Sequence, residues 1–333
     1  MLKHLLLLLV CGITCGRTQA QDLELLTTGT KTNLRGLDAF KNTIWASGSN
    51  GYTGRSADNG ATWTWQQVKG YETNDFRDIA VLDENTALIM AIGSPAYLLK
   101  TTDGGKSWKK VYENKDSAMF LDALFFDDQK TGYVIGDPVH NKIFIAQTRD
   151  GGDSWQPAAV FASIQPLAGE AFFAASGSNL TSAGGQLMLV SGGNASRLIT
   201  GNTTVTLPLM QGSSSTGANG IAAFGRALMV AGGDFQQPAR KDSVLVISRD
   251  NGKTFVQPVT GPGGYRSAVA ALDDSVWITC GLNGVDLSTD GGQNWTPVSA
   301  GTFNSVFINR TKKVAFLAGP AGTVGSIRLQ GHP

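Results

Sequence analysis

Three arginines and several carboxylates recur at matching places in a series of short apolar runs, and guanidinium groups that converge bind anions. Aligning seven such runs by their apolar residues puts Arg35, Arg77, Leu121, Glu170, Asn219, Arg266 and Asn304 in one column. The next column holds Gly36, Asp78, Asp122, Ala171, Gly220, Ser267 and Ser305. Arginine presents a planar fork to carboxylate or phosphate, so the trio Arg35, Arg77 and Arg266 could hold an anionic sugar, a chain terminus or an acidic loop. The same runs contain the parts of a retaining glycosidase, with Tyr265, next to Arg266, and Glu170 as nucleophile pair and Asp78 or Asp122 as acid/base carboxylate. Tyr265 adjoins Arg266 in one strand and is expected to face the other way, which weakens that set. A plainer arrangement pairs Arg35 or Arg77 with Asp78, Asp122 or Glu170 across neighbouring strands.

The scaffold that must position these residues is legible in a repeat. Five segments share the pattern Ser/Thr-x-Asp-x-Gly-x-x-Trp/Phe: Ser56 to Trp63, Thr101 to Trp108, Thr148 to Trp155, Ser248 to Phe255 and Ser288 to Trp295. The spacing suits a tight hairpin. The carboxylates of Asp58, Asp103, Asp150, Asp250 and Asp290 accept turn N–H groups, glycine supplies positive φ, and Trp63, Trp108, Trp155, Phe255 and Trp295 return between sheets. One aspartate per unit around a rim cannot converge on a ligand, so these are turn builders, and the tryptophans read as core. The aspartates lie 45, 47, 100 and 40 residues apart, the 100 being two periods with a degenerate copy near Ser196. A period of about 40 to 50 with several strands per unit means an all-β propeller.

The last unit supplies only three strand-like runs, Phe303 to Ile308, Val314 to Ala318 and Thr323 to Leu329. The segment Asp22 to Thr28 fits the missing outer place, so a seven-bladed ring would close by pairing the two ends of the chain, which removes exposed edges. Residues 21–333 thus form one domain. Residues 1–20 read as a secretory signal peptide, with Lys3, an apolar run from Leu5 to Val10, and Thr18 and Ala20 before the cut. A lipid-accepting Cys15 is a poorer reading because no leucine stands three places before it. The expected location is periplasmic or extracellular, and the expected state a monomer.

Composition narrows the chemistry. The chain has 333 residues with 27 Lys plus Arg against 26 Asp plus Glu, too balanced for a nucleic-acid protein. Its three histidines and three cysteines, only Cys280 among the latter lying in the mature chain, make a metal site or disulfide framework hard to build. No dinucleotide, haem, iron–sulfur or copper signature is present, and no cofactor is expected.

The hairpin repeat is the Asp-box, or bacterial neuraminidase repeat, shared by sialidases and by non-catalytic propellers. The mature chain resembles a narrower branch, the photosystem II stability/assembly factor-like propellers. The segments that carry the resemblance are Leu34 to Leu37, Asp75 to Ile79, Gly93-Ser-Pro95, Phe120 to Ala123, Gly136-Asp-Pro138, Gly169 to Phe172 with Ala175-Ser-Gly177, Gly232-Gly-Asp234 and Gly264 to Val269. The resemblance implies a seven-bladed propeller that assists assembly by binding a protein, as photosynthetic members do with photosystem II subunits. Similar secreted bacterial chains carry names such as oxidoreductase or glycosyl hydrolase. The fourth unit departs from the repeat.

Two insertions, Asp137 to Lys142 and Asp234 to Asp242, fall on the face where the arginines lie and could wall a groove. His140 in the first lacks a nucleophile or orienting partner and reads as a solvated loop residue. The leading expectation is a non-enzymatic binding propeller whose ligand, a protein or an anionic glycan, meets Arg35, Arg77, Arg266, Glu170, Asp122, Asp137 and Asp234. The alternative is a sialidase-like glycoside hydrolase or carbohydrate-binding propeller.

Overall fold

The computed structural model describes residues 22–26 and 29–330, so the leader reading lies outside the described residues. Seven antiparallel sheets follow one another along the chain. Blade one is Leu34–Phe40, Thr43–Gly48, Tyr52–Ser56 and Thr64–Gln67, written from the central channel outwards. Blade two is Phe76–Val81, Ala87–Ala91, Ala96–Thr101 and Lys109–Asn114, and blade three Leu121–Phe126, Gly132–Val139, Lys142–Thr148 and Gln156–Pro157. Blade four is Leu180–Ala183, Gln186–Val190, Arg197–Thr200 and Thr203–Thr206. Blade six is Ala268–Ala271, Trp277–Gly281, Gly284–Ser288 and Thr296–Ser299.

Blade seven joins Ser305–Asn309, Val314–Ala318 and Val324–Arg328 to the N-terminal strand Glu24–Leu26, whose residues pair with Ser326, Gly325 and Val324 in turn. The ring therefore closes by end-to-end pairing. Blade five, Thr216–Phe224, Ala227–Asp234 and Leu245–Ser248, keeps only a bridge between Ile247 and Val256 where a fourth strand would lie. Pro258 and Pro262 follow, and proline cannot donate to a ladder.

The second strand of each blade lies between two others, and in Ala87–Ala91 and Trp277–Gly281 every residue is buried. The core is accordingly a series of inter-blade layers. At the closure, Leu34, Ile44 and Ala46 of blade one pack on Phe316, Ala318 and Val324 of blade seven, with Leu26 against them.

The five turn segments share one hydrogen-bond scheme. In the first, Gly60 N–H donates to Ser56 Oγ at 2.8 Å, while Asp58 accepts from Thr62 N–H and Thr62 Oγ1 at 2.9 and 2.6 Å. Gly60 sits at φ 87°, which glycine adopts freely. These bonds, the Thr62 hydroxyl first, pull the Asp58 carboxyl down to about 2. Trp155 and Trp295 are buried, whereas Trp63, Trp108 and Phe255 are half-buried at the blade margins.

One segment departs from the expected strand order. The apolar pattern places the run containing Glu170 as the inner strand of blade four, but that place belongs to Leu180–Ala183. Glu170–Ala171 instead pairs with Gly192–Gly193, which adjoins blade five at Gly217.

Candidate functional site

Bulges in the inner strands build the upper end of the channel. The ladder skips one residue at Arg35, at Arg77, at Asp122 and at Asn219, so these side chains are turned toward the axis in blades one, two, three and five. In blade three the bulged residue is Asp122, one place beyond the aligned Leu121. In blade six Ser267 holds the corresponding place, its N–H bonded to the Cys280 carbonyl. A cavity of about 360 Å³ opens at this mouth, and Arg35, Arg77, Asn219, Ser267 and Asn304 line it.

The floor is a plug. After Glu170 the chain leaves the sheet and crosses the channel as Phe172 to Ser178. Phe172 N–H donates to Asp137 Oδ1 at 2.9 Å, and the Ala175 carbonyl accepts from Arg35 Nη1 at 3.3 Å. Ser176 Oγ donates to the Ser267 carbonyl at 2.8 Å, and the Ser178 carbonyl accepts from Ile221 N–H at 2.7 Å. Gly177, at φ 71°, lies so close to the Asp78 carboxyl that a Cβ there would overlap it. The tip is thus held by blades one, two, five and six.

Glycine, alanine and serine at 174–178 suit this passage because larger side chains would collide with the channel wall. The sequence signal was the spacing: 100 residues separate Asp150 and Asp250, about ten more than two average periods.

The plug corrects several expected positions. Arg266 does not face the mouth: it is buried in blade six, with Nε on Asp286 at 2.7 Å, a second bond from Nη2 to the same carboxylate, and Nη1 on Asn283 at 2.7 Å. Tyr265, expected to face away, lines the mouth and donates to Asn219 Oδ1 at 2.8 Å. The two residues exchange faces because strand faces alternate and blade six enters one residue later than aligned. Glu170 is sealed at the root of the plug, accepting from Arg197 Nε and Ser191 Oγ at 2.8 and 2.5 Å. Asp234 caps its own loop through Gln236 N–H and is buried outside the cavity lining. Asp78 accepts from Ile79 and Leu124 N–H at 2.8 and 2.7 Å, below the plug. A three-arginine clamp and a Tyr265–Glu170 pair are therefore not assembled.

What does converge is a two-arginine wall facing an aromatic one. Arg77 donates to Asp75 at 2.8 Å and lies 5.8 Å from the Phe120 ring centre. Arg35 keeps a buried Nε without a partner, and burial, followed by repulsion from Arg77, pushes its guanidinium below the ordinary range. Across the mouth, Phe173, Phe235 and Tyr265 form edge-to-face contacts with centroids 5.8 and 6.4 Å apart. Asp137, Phe173 and Phe235 come from the plug and the two insertions. Burial raises the Asp137 carboxyl, and it raises Asp122 well above the usual range, with Asp137 adding to it. Asp122 lies near the amides of Ala174 and Asp137 without closing a hydrogen bond to either oxygen. Such a mouth can hold a carboxylate against Arg35 and Arg77 and an apolar side chain against the rings.

His140 stands outside the lining, 79% exposed in its side chain and 2.9 Å from Asp116 Oδ2. Among the described residues no three His, Cys, Asp or Glu gather as a metal site, and no helix is long and apolar enough to cross a membrane.

Residues 21–118 match the family described as Photosynthesis system II assembly factor YCF48. Among solved structures, YCF48 from Cyanidioschyzon merolae is 17% identical with a TM-score of 0.68, over 92% of this chain and 99% of that one. A structure of YCF48 bound to D1 peptide is 18% identical, TM-score 0.64, over 94% and 98%. The Niastella koreensis GH74 enzyme is 14% identical, TM-score 0.60, over 91% of this chain but 53% of its own. No match is found among the curated proteins.

Proposed function

We propose that this chain, a photosystem II assembly factor-like BNR propeller, is a non-enzymatic binding protein that takes an acidic or C-terminal segment of a protein partner into its channel mouth. The observation that carries this reading is the pairing of Arg35 and Arg77 with the Phe173, Phe235 and Tyr265 wall above a closed floor. A carboxylate accepts the arginine forks, the adjoining side chain is buried on the rings, and the plug stops the segment from threading further. The D1 peptide named with a similar YCF48 structure supports a peptide segment as the ligand. We also propose that the leader at 1–20 exports the chain and that the closed ring acts as a monomer.

The glycoside-processing alternative has weaker support, because Glu170 and Arg266 are spent on internal ion pairs. The deciding experiment is calorimetric titration with short peptides ending in a free carboxylate beside an aromatic or aliphatic residue, their amidated forms, and sialic and uronic acids. Peptide binding that is lost on amidation and in Arg35→Ala/Arg77→Ala is expected. Binding of the sugars alone, or peptide binding indifferent to the arginines, would overturn the reading.

A further inference from the structure

The plug has two sides. Ala171 to Ala175 floor the mouth, while Ser176, Gly177 and Ser178 roof a second cavity of about 530 Å³ that opens on the opposite face, where the inner strands end. The two cavities share no lining residue, so the plug divides the channel into two separate spaces.

Their chemistry differs. The lower cavity is walled by four phenylalanines, Phe40, Phe125, Phe126 and Phe307. Its charged lining is Asp38, Asp78 and Asp128, and among the described residues no lysine, arginine or histidine lines it. Asp38 and Asp78 are each held by two backbone amides, Asp38 by Ala39 and Val81 and Asp78 by Ile79 and Leu124, so both carboxyls are fixed in place. Neither is in an ion pair among the described residues, although Asp78 is 6% exposed. Asp38 is half-buried and Asp78 buried, and a buried ionised carboxylate is ordinarily matched by a cation. Here the match is missing, beside aromatic faces that themselves attract cations and in a space of small-molecule size.

We infer that the lower cavity is a second binding site, independent of the mouth, for a small organic cation with an apolar body, such as an alkyl- or arylammonium. The ammonium would sit between the Asp38 and Asp78 carboxylates and the apolar part against the phenylalanines. Burial raises Asp78 to about 8 and Asp38 to about 7, so a bound cation would draw both into their ionised forms and release protons. Asp128, at the exposed rim, is the remaining titratable group of the lining.

The test is calorimetric titration of the mature chain with 2-phenylethylammonium chloride and with its neutral counterpart 2-phenylethanol. The inference expects saturable single-site binding of the ammonium, tighter than the alcohol by about tenfold or more, as a charged hydrogen bond implies. Asp38→Asn/Asp78→Asn should remove that preference, while Arg77→Ala, at a mouth side chain bonded to Asp75, should leave it intact, which separates this site from the peptide reading. Should the aspartate variant not fold, the wild-type protein still decides: ammonium affinity must rise between pH 6 and pH 8 while alcohol affinity stays level. Equal affinity for the two compounds, a flat pH response, or no saturable ammonium binding would overturn the inference.

Discussion

Arg35 of blade one donates to the carbonyl of Ala175, 140 residues along the chain, at 3.3 Å. That bond ties the innermost strand of the first blade to a segment from beyond the third. It makes the plug part of the mouth's wall, and any carboxylate that reaches Arg35 competes with a carbonyl already there.

Gly177 should tolerate no side chain. Its φ of 71° and the crowding by Asp78 predict that Gly177→Ala costs about 1–3 kcal/mol in chemical denaturation. Gly184→Ala, at φ 59° in open space, should cost only the conformational part, about 1 kcal/mol. Equal costs at the two sites would mean that the plug is not packed on Asp78.

The root of the plug rests on an ion pair. Glu170 and Arg197 are both at most 9% exposed, so Glu170→Ala leaves a buried guanidinium without its partner and should cost about 3–5 kcal/mol. Adding Arg197→Met should recover part of that loss. A double-mutant cycle with no coupling would refute the pairing.

Stability should peak in mildly acidic solution. Asp78 has a folded value of about 8 against an ordinary 3.8, so the folded state keeps a proton that the unfolded chain sheds. Its contribution is complete below about pH 4 and is lost as pH rises through about 8, at up to about 1.4 kcal/mol per pH unit. Asp58 and Asp103 are the opposite case: both are held at about 2, and their contribution is lost as pH falls from about 4 through 2. Thermal unfolding from pH 2 to 9 should trace both limbs, and Asp78→Asn should flatten the alkaline one.

Trp155 is 7% exposed, meets Phe126 edge-on at 6.1 Å and donates to the Gly152 carbonyl at 3.2 Å. Trp155→Ala should cost about 3–5 kcal/mol in denaturant unfolding. Phe255→Ala, on a half-buried ring in the incomplete blade five, should cost less.

The ring was legible because its signals are local. Five turns with an aspartate, a glycine and an aromatic residue at constant offsets mark the blades, and the short last blade beside an orphan N-terminal strand marks the closure. The mouth was only half legible. Arg35 and Arg77 lie where alignment placed them, but a bulge adds a residue without altering the apolar pattern. The bulge in blade three moves the axial place from Leu121 to Asp122, and in blade six, which has no bulge, the strand enters one residue later than the alignment puts it, so Tyr265 and not Arg266 lines the mouth. Glu170 was lost for another reason: Glu170 to Ser178 has the composition of a strand end and a turn, and only contacts with four distant blades show it as a plug. Phe235 was legible only as part of the Asp234 to Asp242 insertion, and Arg197 carried no pattern that linked it to Glu170.

The pairing of Glu24 with Ser326 has a consequence in time. Residue 24 is made about 300 residues before residue 326, so the closing strand can pair only after its partner strand has been made. Until that pairing forms, Val324–Arg328 presents an open edge and the first and last blades are not tied together. The meeting of these two distant strands is therefore the step that closes the ring.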